Sequence, residues 1–162
     1  MKDLLAIADL TRTDLDLVLE RAVEVRADPA RHRTSMRAET VALWFAAPSA
    51  RTRLAAASAV ARLGATPVLV GPDELAASSE AEMVEAARVL SAYARLVVAR
   101  IPDHAGLMTL AAASTVPVLN AGSGRHHPLQ ALADVLTLRD RFRTAEGLTL
   151  AFVGDATTAA NS

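Results

Sequence analysis

The sequence predicts an α/β domain: a parallel sheet of about four strands with helices on both faces, a three-layer sandwich built from βαβ units. Three observations carry that prediction. Short apolar runs alternate along the chain with helical patterns of about 10–15 residues, the signature of right-handed crossovers. The apolar runs are nearly free of polar residues, as strands covered on both faces require. The chain has 162 residues, 52% hydrophobic and 22% charged, which is enough length and apolar content for one sizeable core.

The elements follow in order. Thr11 with Asp14 reads as a helix N-cap and a first-turn acid, and Leu15, Val18, Leu19 and Val23 form a stripe that ends near Asp28-Pro29. Val41 to Phe45 reads as a buried strand, which makes Trp44 and Phe45 core residues. Pro48 and Ser49 start a second helix, closed by Gly64. Pro67 to Val70 is a second strand, and residues 80–93 are helical with Met83, Ala87, Leu90 and Tyr93 on one stripe. Leu96 to Ile101 is a third strand, 103–113 a helix, and Val116 to Leu119 a fourth strand. A Gly-rich loop, Ala121 to Arg125, leads into a helix from Pro128 to about Phe142. Gly147 to Val153 reads as a fifth strand without a neighbour in this domain. Residues 144–146 are the one candidate junction, so 1–144 form one domain and 145–162 open another.

Composition excludes several classes of function. A net charge of −1 gives no global field for nucleic acid or an anionic membrane, so any anion site is local. There is no cysteine, which removes disulfides and thiolate metal sites and suits a reducing compartment. No apolar run approaches the roughly 18 residues of a membrane span, and the first ten residues do not resemble a signal peptide. The expectation is a cytoplasmic protein with no membrane or nucleic-acid partner. Lys2 is the only lysine, a compositional bias without functional content.

Ligands of open parallel sheets bind beyond the carboxyl ends of the strands. The polar residues gather there. The first strand is followed by Ser49, Ala50, Arg51, Thr52 and Arg53; the third ends at Arg100; the fourth is followed by Asn120 and then by His127, Pro128 and Gln130. Ser49 at the N-cap puts Arg51 and Arg53 in the first helical turn, where the dipole disfavours each cation by roughly 0.3–1 kcal/mol. A bound phosphate reverses that sign, because charge-assisted hydrogen bonds contribute about 1.5–3 kcal/mol each. The alternative is that both arginines face solvent or pair with carboxylates at the core edge. His127 before Pro128 caps the next helix, with Gln130 beside it; capping alone would also explain that pair. Arg100 at a strand end needs a polar crevice or an ion pair, for which Asp103 is the nearest candidate. Gly122 and Gly124 permit a turn, and His126 reads as a surface residue.

Taken together these residues resemble the transcarbamoylase family. Ser49-Ala50-Arg51-Thr52-Arg53 matches the family's Ser-Thr-Arg-Thr-Arg phosphate motif at four of five positions, Arg100 its third-strand arginine, and His127, Pro128 and Gln130 its His-Pro-x-Gln motif. Asp103-His104, Ala131 to Asp134 and the tail from Val153 to Ser162 resemble the ornithine rather than the aspartate branch. Other positions depart from the pattern: Ala46 and Ala47 before the phosphate motif, Ala55 to Ala57 after it, Ala81 near a usual glutamate, and a 72–79 loop uncharged at its tip.

The resemblance implies a carbamoyl-phosphate-binding domain of an enzyme that transfers the carbamoyl group of carbamoyl phosphate to ornithine, giving citrulline and phosphate. Ser49, Ala50, Arg51 and Thr52 would hold the phosphate. Arg100 and His127 would polarise the carbamoyl oxygen, and Gln130 would orient the carbamoyl nitrogen; Arg51, Arg100, His127 and Gln130 are the catalytic candidates. The amine attacks only when neutral, so activity would fall at acidic pH. No metal or other cofactor is implied. The second substrate would need a domain beyond this chain, and the family's assembly implies a homotrimer. The departures leave two alternatives: a non-catalytic anion-binding or assembly relative, and an aspartate-type transferase.

Overall fold

The computed structural model of the chain describes residues 2–76, 78–144 and 147–153. Four parallel strands form one sheet: β1 (Thr40–Phe45), β2 (Thr66–Val70), β3 (Leu96–Arg100) and β4 (Val118–Asn120), in the spatial order β2-β1-β3-β4. Phe45 lies opposite Arg100, and Ala99 opposite Asn120, so the ends of the three strands that carry the polar residues are level with one another. Five helices connect and follow them: α1 (Arg12–Ala27), α2 (Ala50–Arg62), α3 (Glu80–Tyr93), α4 (His104–Ala113) and α5 (Pro128–Phe142).

Alternation along the strands divides the core in two. Ala42, Trp44, Val97 and Ala99 face α3 and α4, where they meet Met83, Leu90, Leu107 and Leu110. Val41, Leu43, Phe45 and Val98 face the opposite side, against Val60 of α2 and Leu129 of α5. A third cluster, centred on Leu4, Leu19 and Leu132, joins the N-terminal segment and α1 to α5. The predicted three layers are present.

Local chemistry explains the boundaries. Thr11 and Asp14 form a reciprocal capping box at the start of α1, and Ser79 and Glu82 form another at α3. Asp103 accepts the N–H groups of Ala105 and Gly106 at the start of α4. Gly64 ends α2 with φ +88°, and a Cβ there would sit 2.2 Å from the Arg33 carbonyl oxygen, so only glycine fits.

The structure departs from the sequence reading at both sheet edges. β2 is not covered on both sides, and Val68 and Leu69 are exposed. At the other edge the N-terminal segment, unrecognised in the sequence, lies along β4: Leu4 bridges Leu119, its N–H donating to the Val118 carbonyl while its own carbonyl accepts from Asn120 N–H. The predicted fifth strand over 147–153 does not form. Leu150, Phe152 and Val153 are exposed there, because a lone strand has no neighbour for its backbone groups in this sheet. Residues 145–146 of the predicted 144–146 junction and the tail 154–162 lie outside the described residues.

Candidate anion site at the carboxyl ends of the strands

β1 delivers the first component. Ala46 N–H donates to the Arg100 carbonyl oxygen at 3.1 Å, which ties the segment leaving β1 to the end of β3. Ser49 occupies the N-cap of α2 but, contrary to its reading as an ordinary cap, its hydroxyl makes no capping hydrogen bond. The first turn of α2 therefore keeps its donors uncapped by that side chain. Arg51 and Arg53 are exposed, and neither forms an ion pair among the described residues. The carboxylate half of the alternative is thus not realised, while its other half is: both side chains face solvent, and the positive end of the helix carries two guanidinium groups with no ion pair among the described residues. Thr52 is half-buried and Ala50 exposed.

The second component is a packed pair. Arg100 is half-buried at the end of β3; its Nη1 donates to the Ala121 carbonyl at 3.0 Å, and its buried Nε has no partner. The proposed partner Asp103 is committed to the start of α4 instead. Gly122 has φ +117°, and a Cβ there would stand 2.2 Å from Arg100 Nη1 and 3.1 Å from His127 Cδ2. Gly122 therefore does more than turn the chain: its missing side chain is the gap in which Arg100 and His127 meet.

His127 caps α5 with its ring. Nδ1 accepts the Gln130 N–H at 3.3 Å, which puts the neutral ring's proton on Nε2. Burial, and next the Arg100 charge, lower its pKa below the ordinary histidine range. At neutral pH the ring is uncharged and can serve as a hydrogen-bond donor. Gln130 is exposed, and its Nε2 donates along α5 to Asp134 Oδ1 at 2.9 Å, so its amide is engaged on the helix surface rather than beside His127.

The end of β4 and the loop to α5 hold residues to which the sequence reading gave no specific role. Asn120 is fully buried. Its Nδ2 donates to the carbonyls of Leu5 and His126 at 2.8 and 3.0 Å, and its Oδ1 accepts Gly122 N–H at 2.8 Å. Ser123 is buried beside it and bonds His104 Nδ1 at 2.9 Å. His126, read as a surface residue, is half-buried with its ring edge-on to His104. A buried asparagine ending an apolar strand before a Gly-rich loop was the available signal for this network.

Two surface hollows lie elsewhere, one between α1 and α5 lined by Leu19, Val23 and Leu136, the other beside β2 and α3 lined by Val68, Val89 and Tyr93. Neither includes Arg51, Arg100 or His127, and charge and donor placement mark the rim. Among the described residues no group of three or more His, Cys, Asp or Glu side chains could hold a metal ion, and no helix is long and apolar enough to cross a membrane.

Known proteins are similar to this chain in sequence and fold. Residues 2–140 match the family described as aspartate/ornithine carbamoyltransferase, carbamoyl-P binding domain. Ornithine carbamoyltransferase of Hyperthermus butylicus is 38% identical over 157 residues, covering 95% of this chain and 50% of that protein. The enzyme of that name from Acidothermus cellulolyticus is 38% identical over 162 residues, covering 100% of this chain and 52% of its own length. The structure of ornithine carbamoyltransferase from Pyrococcus furiosus superposes with a TM-score of 0.89 at 32% identity, covering 99% of this chain and 52% of that one. The chain spans about half the length of the curated relatives it matches. On these matches and on the fold, the chain belongs to the aspartate/ornithine carbamoyltransferase family and comprises its carbamoyl-phosphate-binding domain.

Proposed function

We propose that this chain binds carbamoyl phosphate at the strand-end rim and serves an ornithine carbamoyltransferase whose amine substrate is held by a domain that 145–162 begins. The observation that carries the reading is the meeting of Arg100 and His127 over Gly122, at the same strand-end edge as a helix start whose two arginines have no carboxylate among the described residues. Ser49, the Ala50 N–H, Arg51 and Thr52 hold the phosphate. The dipole and the uncapped N–H groups supply donors there, and the guanidinium supplies charge.

Arg100 and neutral His127 donate to the carbamoyl oxygen. In the reaction the neutral amine nitrogen of ornithine attacks the carbamoyl carbon and a C–N bond forms. Negative charge builds on the carbamoyl oxygen, and the bond to the phosphate oxygen then breaks. Phosphate leaves with the bonding pair and takes up the proton that the amine nitrogen loses. Donors preset at the oxygen contribute about 2.7–4 kcal/mol each. Gln130 reaches the carbamoyl nitrogen once its amide leaves Asp134. The chemistry draws on positioning and charge, without a metal or other cofactor.

A homotrimer fits the exposed apolar residues Leu54, Val68 and Leu69 on α2 and β2. A cysteine-free chain suits a cytoplasmic, reducing setting.

Calorimetry with carbamoyl phosphate tests the reading. Arg51→Ala should weaken binding about ten- to a hundredfold, the equivalent of one charge-assisted hydrogen bond. The fold should be unaffected, since Arg51 is exposed and bonded to nothing described. Unchanged affinity in the variant would refute the phosphate assignment.

A further inference from the structure

We propose that Asn120 is the positioning residue of this site, its carboxamide tying Leu5, Gly122 and His126 together so that His127 is held against Arg100. The inference rests on the reading of the rim as the carbamoyl-phosphate site, but its geometry stands on its own.

The partners dictate the residue type. Nδ2 points at two carbonyl oxygens, of Leu5 at 2.8 Å and His126 at 3.0 Å, with Ser123 Oγ a longer third contact at 3.3 Å. Oδ1 faces the Gly122 N–H at 2.8 Å. Aspartate would set an anionic oxygen against two carbonyls, and leucine would fill the same shape while leaving the Leu5 carbonyl and the buried Gly122 N–H without their partner and the His126 carbonyl with Ser123 alone. Only a side chain with donors on one branch and an acceptor on the other satisfies all of them.

What the node controls is specific. Gly122 is the residue whose absent Cβ makes room for Arg100 and His127, and its N–H is held by Asn120 Oδ1. His126, one residue before His127, is held by its carbonyl. Both ends of the turn that carries the pair are thus fixed from one buried point. Leu5 adds a third anchor from the opposite end of the chain, 115 residues away in sequence. The N-terminal segment consequently becomes part of the site's support rather than mere edge cover for β4.

The test uses the whole chain with 15N-labelled histidine. Asn120→Leu removes the bonds at constant shape, and Asn120→Ser keeps at most one; neither adds charge. The readout is the pH titration and tautomer of the His127 ring by 15N correlation spectra, assigned with His127→Gln. The charges that act on the ring, Arg100 and Asp134, remain in every variant. Trp44, the single tryptophan, is buried in β1 and reports an intact core.

In the folded variants the His127 midpoint should rise toward that of a free histidine, and the share of Nε2–H tautomer should fall. Carbamoyl-phosphate affinity should drop about tenfold or more, while inorganic phosphate, held at α2, weakens less than about threefold. A folded variant with an unaltered His127 titration and unaltered carbamoyl-phosphate affinity overturns the proposal. Failure of both variants to fold overturns it too, since the node would then serve folding alone. If the unmodified chain binds no carbamoyl phosphate yet His127 shifts in the variants, the substrate reading fails and the positioning role stands.

Discussion

The Arg100–His127 pair has its geometry only because position 122 lacks a side chain. Arg100 brings a buried Nε that finds no partner, an imbalance a protein interior rarely retains without a use. An alanine at 122 would meet Arg100 Nη1 at 2.2 Å and would hold φ +117°, a conformation L residues rarely adopt. Backbone strain of about 1–3 kcal/mol adds to displacement of the guanidinium. Gly122→Ala should therefore lower the unfolding free energy by about that much and weaken carbamoyl-phosphate binding tenfold or more. Calorimetry and urea denaturation on the same sample check both. An unchanged affinity would mean that the packed pair does not touch the ligand.

Among elements, the helix starts separate structural caps from functional ones. The Ser79 hydroxyl accepts the Glu82 N–H and completes a capping box, whereas the Ser49 hydroxyl makes no capping bond in α2. Ser79→Ala should cost about 1 kcal/mol of stability. Ser49→Ala should change stability by less than about 0.5 kcal/mol while weakening phosphate binding. Denaturant titrations of the two variants decide it; a Ser49 variant as destabilised as the Ser79 one would make that residue an ordinary cap. Most elements were legible because alternation, caps and glycines act locally: Thr11 with Asp14, Gly64 and Pro128 each mark a boundary within a few residues of sequence. The site's anchors were legible for the same reason, since they follow strand ends. Hidden from the sequence were pairings across the chain. Nothing local to Leu4 and Leu5 announces that they lie along β4 and accept from Asn120. The apolar run over 147–153 was legible as a strand without a neighbour in this domain, and Leu150, Phe152 and Val153 form one only if another segment receives their backbone groups.

At the scale of the molecule, charge links α1 to α5 and burial holds the histidines near the rim, so acid should act in two stages. Burial, and after it the His126 and Arg125 charges, lower the pKa of His104; burial and then Arg100 lower that of His127. The unfolded chain takes these protons at about pH 6.5, before the folded one does. Stability is therefore at its full value above that pH and declines as the pH falls through it. The carboxylates form the second stage. Asp16 is lowered first by its bond to Arg139 and then by Arg12, and Asp140 by Arg26; the Asp16–Arg139 and Arg26–Asp140 pairs bridge α1 and α5. Asp14 and Glu82 are lowered by Thr11 and Ser78. Folded carboxylates with depressed values contribute stability above the unfolded range, about pH 4, and lose it as pH falls further. The two stages differ in kind: the exposed ion pairs are screened by salt, while the desolvation of the histidines is not. Urea midpoints taken between about pH 8 and pH 3 should show both limbs at low salt. Raising salt should flatten the acidic limb of the α1–α5 pairs and leave the histidine limb in place. His104→Gln with His127→Gln should do the reverse. A histidine limb that vanishes in salt would show that surface charge, not burial beside Arg100, keeps these rings neutral.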